Sequence, residues 1–265
     1  MSFEKSMRRF QKEWKQGKYK GIVKTASACV ATACIVLLAM YFFQGRKAEE
    51  DIEDLREIKA RAETIAELDE STQKSDGRQI SSQYQELFLE NSDFIGWLTI
   101  EGTKIDYPVM WTPQDPEYYS HRGFDKEESN NGLLFMDAAS NASEYGGNLI
   151  IYGHNMKNGS MFADLLNYKK KSYWEAHKTI QFDTLYETRI YEIAAVAQSN
   201  DLDMLPYGFT NASKEACELA VSNMLDIALY ETDVELKYGN DFLTLSTCDY
   251  SEDDGRLVVM AKRIQ

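Results

Sequence analysis

Residues Asp241 to Ile264, DFLTLSTCDYSEDDGRLVVMAKRI, decide the fold. Phe242, Leu243 and Leu245 lead a strand-like run to Cys248, and a second run, Leu257 to Ala261, starts just after Arg256. Between them, Ser251 to Gly255 is built of turn formers and acids, so the stretch predicts an antiparallel strand pair with a polar loop. A cysteine closing a strand is commonly a small buried apolar residue, and an arginine opening one is commonly solvated. An ordinary hairpin, however, requires neither residue at these places. Together they bring a thiol and a guanidinium to the same end of two neighbouring strands.

Working outward, the 265 residues are 43% hydrophobic and 12% aromatic, enough to bury a full core in one or two domains. Charge is divided unevenly. The chain totals −14, yet residues 1–44 hold eight Lys/Arg against Glu4 and Glu13. The remainder, with 21 basic and 41 acidic residues, therefore stands at −20. A body this acidic repels nucleic-acid phosphates, which are bound by clustered Lys and Arg, so nucleic acid is excluded as a partner.

Four cysteines divide between Cys29 and Cys34 in the apolar N-terminal run and Cys217 and Cys248 in the body. Their spacing matches no zinc motif. Cys217 falls in a helical pattern, Lys214 to Tyr230, which reads it as a buried lone thiol; a Cys217 to Cys248 disulfide is the alternative in an oxidising compartment. Glu252, Asp253 and Asp254 lack the register of a calcium loop and read as solvated, so neither metal nor organic cofactor is expected.

The N-terminus divides into a basic tail (1–24), an uncharged run from Thr25 to Gln44, and a charged stalk and linker (45–78) before the globular domain (79–265). About 20 uncharged residues suffice to cross a hydrocarbon core as a helix. The basic flank places the N-terminus in the cytoplasm and the body outside. A cleaved signal peptide would end in small residues, whereas this run ends in Tyr41, Phe42 and Phe43, which favours a retained anchor. Leu55, Ile58, Ala62 and Ile65 recur at steps of three and four, the seam of a short coiled coil or a packed stalk helix acting as a spacer. Ser71 to Arg78 reads as linker.

In the body, Ile80 to Asn91 predicts a helix with Tyr84, Leu87 and Phe88 inward. Strands are predicted at Gly96–Ile100, Ile105–Met110, Gly132–Met136, Asn148–Tyr152, Thr179–Leu185 and Arg189–Gln198, with Pro108 at an edge or bulged position. Short helices are expected at Asp115–His121, Met161–Tyr168 and Ser172–His177, and the loop Ser199 to Asn211 is long enough to shape a groove. Many strands without βαβ alternation argue for a mostly antiparallel barrel or sandwich with appended helices. His121 and His177 read as surface or structural. His154 differs, because it ends a strand directly after Gly153, which permits an unusual backbone or a close approach.

Thr244-Leu245-Ser246-Thr247-Cys248-Asp249-Tyr250 followed by Gly255-Arg256-Leu257-Val258-Val259 resembles the active-site signature of class B sortases, the membrane-anchored transpeptidases of Gram-positive bacteria. Tyr152-Gly153-His154-Asn155-Met156 resembles their histidine motif. Gly96-Trp97-Leu98 with Ile105-Asp106-Tyr107-Pro108-Val109, and Gly132 to Asp137, are similar to their early strands, so the resemblance spans about residues 80 to 265.

The resemblance implies a mostly β fold, the sortase-type eight-stranded barrel with appended helices behind an N-terminal transmembrane helix. It also implies Cys248 as nucleophile, His154 as general acid/base and Arg256 as the group facing the oxyanion. A thiolate is a strong nucleophile, an imidazole can protonate a departing amine, and a fixed cation steadies a tetrahedral oxygen. Ser246 and the Ser199 to Asn211 loop are expected substrate contacts, while Asp249 orients neighbours or caps a turn. The implied partners are surface proteins with a C-terminal sorting signal, cut after Thr, and a peptidoglycan-precursor or pilin amine. A membrane-tethered cysteine peptidase would use the same Cys/His pair with water as acceptor, and a non-enzymatic scaffold would use neither.

Overall fold

A computed structural model of the chain describes residues 6–8, 12–14, 17, 19–68, 79–143, 145–211 and 213–265. They form two compact units, Met1–Lys47 and Ala48–Gln265. Helix α1 (Lys20–Leu68) belongs to both. Gly45 does not interrupt this helix, since one glycine costs only about 1 kcal/mol relative to alanine there. In the first unit the helix is long and apolar enough to cross a membrane, and none of its apolar window is buried. Leu37, Phe42 and Phe43 are all exposed, an arrangement suited to hydrocarbon and unfavourable in water. The linker expected over Ser71 to Arg78 lies outside the described residues.

In the second unit, Ile52 and Leu55 of α1 are buried in the core and Ile58 packs against it. The Leu55 and Ile58 part of the seam therefore packs against the body, as expected of a packed stalk helix. Arg56 reinforces the seat: its Nε lies 3.0 Å from Asp106 Oδ2, and its guanidinium sits 5.3 Å from the Tyr107 ring centre. Such a cation–π contact adds about 1 kcal/mol where the site is partly desolvated.

Eight strands follow: β1 (Phe94–Thr99), β2 (Asp106–Met110), β3 (Leu134–Met136), β4 (Asn148–Tyr152), β5 (Thr179–Thr184), β6 (Thr188–Ser199), β7 (Phe242–Cys248) and β8 (Arg256–Arg263). They close into a barrel in the order β1-β2-β3-β4-β7-β8-β6-β5, which resolves the barrel-or-sandwich expectation. Most neighbours are antiparallel, but β2–β3 and β4–β7 are parallel. Parallel neighbours need long crossovers, and the chains from 111 to 133 and from 153 to 241 supply them. Pro108 fits its expected place, since β3 pairs only with Val109 and Met110 and leaves Pro108 a partner on the β1 side alone.

Helices α2 (Ser82–Glu90), α3 (Lys171–Ala176) and α4 (Lys214–Asp226) are appended to the barrel. Tyr84 and Leu87 of α2 are fully buried, as their spacing predicts. The α4 helix ends four residues before the expected Tyr230. There the chain turns to pair with β6, with Ala228 bridging Ala197 and Leu229 N–H donating to Val196 O at 2.8 Å.

Strand β7 is covered on both faces. Leu243 and Leu245 enter the barrel core. Phe242 joins a second cluster, outside the barrel, with Cys217 and Met224 of α4, Leu205, Phe209, Val258 and Met260. Alternation then puts Ser246 and Cys248 on this outer face, and Arg256 beside Val258 shares it.

Candidate active site

Cys248 and Arg256 are brought into register by local geometry. Strands β7 and β8 pair antiparallel over seven positions, and the last pair is Cys248 with Arg256. The turn between them is closed by two backbone bonds, Asp249 N–H to Gly255 O at 2.8 Å and Gly255 N–H to Glu252 O at 3.2 Å. Any side chain at Gly255 would place its Cβ 2.5 Å from the Asp249 carbonyl oxygen, so glycine is required there by close approach. Arg256 Nη1 donates to the carbonyls of Asp254 and Gly255, each at 3.1 Å. These bonds hold the base of the fork against its own loop.

His154 reaches the same place by a longer route. Strand β4 runs parallel to β7 with every partner 94 positions ahead, from Asn148↔Phe242 to Tyr152↔Ser246. Two further bonds carry the ladder past the strand end: Gly153 N–H donates to Ser246 O at 3.2 Å and Thr247 Oγ1 donates to Gly153 O at 2.7 Å. Carried one residue past Gly153 and Thr247, the same offset pairs position 154 with position 248. Asn155 Nδ2 then donates to Cys248 O at 3.0 Å, tying the two strand ends together. At Gly153 an added Cβ would lie 2.4 Å from Leu134 Cδ2 and 2.7 Å from Phe162 Cδ2. The close approach inferred from the sequence is thus real.

His154 Nε2 lies 2.7 Å from Ser120 O. A carbonyl only accepts, so Nε2 carries the proton in this bond and the tautomer is set. His121 stacks on the same ring, with centroids 5.5 Å apart and planes at 25°. His121 is exposed, in keeping with its reading as a surface residue, and its stacking on His154 is a contact that only the fold creates, since a lone histidine in a charged segment carries no periodic signal.

Ser246 is buried, and its hydroxyl is 2.7 Å from Tyr207 Oη. Tyr207 comes from the predicted groove loop, which is organised by 3₁₀ turns at Leu202–Met204 and Pro206–Gly208. Burial pushes its phenol above the usual value, the Ser246 bond and the Arg256 charge pull it down, and Cys248 pushes it up. Its ring also lies 5.9 Å from that of Tyr152. Tyr207 thus sits amid Ser246, Cys248 and Arg256; the sequence marked its loop but not this residue. Burial works against ionisation of Asp249, yet the Lys169 ammonium and the Ser251 N–H hold its carboxyl below the usual range. It caps the turn by accepting from Ser251 N–H at 3.1 Å and pairs with Lys169. Cys217 is buried and free, and α4 explains it as packing.

A closed barrel that sets a cysteine opposite an arginine at its rim, with a histidine one ladder away, defines a class of thiol-dependent acyl-transfer proteins. Comparison with known proteins narrows the class. A family model described as the sortase domain matches residues 98–264. Sortase B of Listeria monocytogenes is 31% identical over 238 residues, covering 87% of this chain and 94% of the relative. Sortase B of Staphylococcus aureus is 28% identical over 234 residues, covering 87% and 95%. Among solved structures, sortase B from Bacillus anthracis in complex with AAEK1 aligns with a TM-score of 0.70 at 26% identity, over 84% of this chain and 99% of that one. Clostridium perfringens sortase B aligns at 0.64 and 33%, over 68% and 99%. The chain belongs to the sortase family, as a class B cysteine transpeptidase.

Proposed function

We propose that the protein cleaves a C-terminal sorting signal after Thr and transfers the freed acyl group to an amine. Cys248 loses its proton to His154, and its sulfur attacks the Thr carbonyl. The C–N bond breaks, His154 returns the proton to the departing amine, and a thioacyl enzyme remains. An incoming amine then attacks, gives a proton to His154, and the C–S bond breaks with the sulfur reprotonated. Arg256 faces the oxygen that becomes negative in both tetrahedral states. Ser246 and its partner Tyr207 contact the substrate.

The single observation that supports this reading is the ladder offset: 94 positions separate β4 from β7 partners and equally separate His154 from Cys248. The amine belongs to a peptidoglycan precursor or a pilin lysine. The helix within Lys20–Thr64 suits a membrane anchor, and we assign a single-pass type II topology, with the basic tail in the cytoplasm and the catalytic domain outside.

The test uses the full chain in mild detergent with a labelled sorting peptide and a soluble amine. Amide product, together with an intact-mass adduct on Cys248, is the expected result. Hydrolysate alone, even at high amine, would favour the membrane-tethered cysteine peptidase. No adduct in either case overturns both.

A further inference from the structure

Three described non-glycine residues have positive φ: Lys126, Met161 and Asp254. Lys126 and Asp254 are exposed turn residues, but Met161 is buried at 1% exposure. Its backbone, at φ 56° and ψ −128°, is a conformation that L side chains resist and glycine adopts freely. Such strain persists only where the surroundings over-determine it.

Met161 closes the excursion that begins at His154. It bridges Asn155 across the loop, and the next residue, Phe162, donates its N–H to His154 O at 2.9 Å. Asn155 in turn holds Cys248 O. The Met161 N–H itself is satisfied from outside the loop, by Tyr107 Oη of β2 at 3.0 Å. Tyr107 is buried, and Arg56 of α1 covers its ring.

We propose that Tyr107 is a positioning residue for His154, acting through its hydroxyl on the strained Met161 backbone. The inference rests on the roles given to Cys248 and His154 above. Without the hydroxyl a buried N–H is left unpaired, and Met161 relaxes toward an ordinary conformation. The Asn155 bridge and the Phe162 bond then shift, and His154 leaves its place beside Cys248.

The full chain in detergent, assayed for amide formation, tests this. Tyr107→Phe keeps the ring beneath Arg56 and removes one oxygen. The expected result is a kcat about tenfold lower, with KM for the sorting peptide within about twofold, because the loop serves the chemistry rather than peptide binding. Met161 supplies a second, independent arm. Met161→Val, β-branched and worse in this conformation, should turn over about fivefold more slowly than Met161→Gly. A packing role alone predicts the reverse order, since glycine leaves the larger void. In the Met161→Gly background, Tyr107→Phe should cost no more than about twofold.

Unchanged kcat in Tyr107→Phe, valine equal to or faster than glycine, or an equal loss in both backgrounds would each overturn the proposal. Wild-type protein that forms neither adduct nor amide would instead overturn the proposed function.

Discussion

Two junctions meet at the barrel rim, and they are built differently. The β7–β8 hairpin joins Cys248 to Arg256 across a turn of seven residues. The β4–β7 ladder joins Gly153 and Asn155 to the Cys248 strand across 94 and 93 positions. The first is local and closes with a small loss of chain entropy. The second exists only after the crossover between β4 and β7 has folded, α4 and the groove loop included. Geometry at the thiol is thus held rigidly from one side and conditionally from the other.

Removing the shared residue should have the largest effect. Cys248→Ala is expected to lower amide formation by about 10⁴-fold or more, with no thioacyl adduct by intact mass. Splitting the junctions comes next. His154→Ala should cost about 10³-fold in kcat, and Arg256→Lys, which keeps charge but loses the planar fork, about 10²-fold. If Arg256→Lys proves more damaging than His154→Ala, the ladder is not the catalytic half of the pair.

The two glycines compare the junctions structurally. Gly255→Ala drives a Cβ to 2.5 Å from a backbone oxygen, while Gly153→Ala meets the side chains of Leu134 and Phe162. Side chains can turn aside, and a backbone carbonyl inside a closed turn cannot. Gly255→Ala should therefore destabilise by about 3 kcal/mol and Gly153→Ala by about 1–2 kcal/mol. Thermal melts in one detergent decide the order. For activity the ranking of the glycine pair can invert, because Gly153 adjoins His154.

The smallest effect concerns Asp249. Its folded pKa lies below the unfolded value near 3.8, so its stabilisation is fully present above that value and is lost as pH falls through the folded pKa. Asp249→Asn should be about 2 kcal/mol less stable than wild type at pH 7. The gap should narrow below about pH 4. Melting temperatures at pH 7, 4 and 3 measure it, and a gap constant across that range would show that the Lys169 pair contributes nothing.

Much of the hairpin was legible beforehand, for a physical reason. Strand alternation, a polar turn and the two terminal residues all lie within a window where sequence neighbours are spatial neighbours. The Asn148–Tyr152 strand and the inward face of Ser82–Glu90 were readable on the same grounds. The family resemblance then supplied the pairing of Cys248 with His154. Periodicity did not: it favoured no parallel partner for β4, and it hid His121, Tyr207 and the Tyr107–Met161 bond, since an isolated polar residue leaves no repeating trace. The stalk seam was visible, but its partner was not, because an apolar stripe says that a face is covered without saying by what.

By itself the chain's sequence determined the apolar N-terminal helix, the strand pattern and the chemistry available: one thiol, one imidazole and one guanidinium, each at a strand terminus. Tertiary structure alone decided that these termini share a rim, that His154 is turned onto Ser120 and His121, and that a tyrosine from β2 supports the loop behind it. The reason is register. Local propensity sets which face a residue takes within its own strand, whereas contact between distant strands depends on how the whole barrel closes.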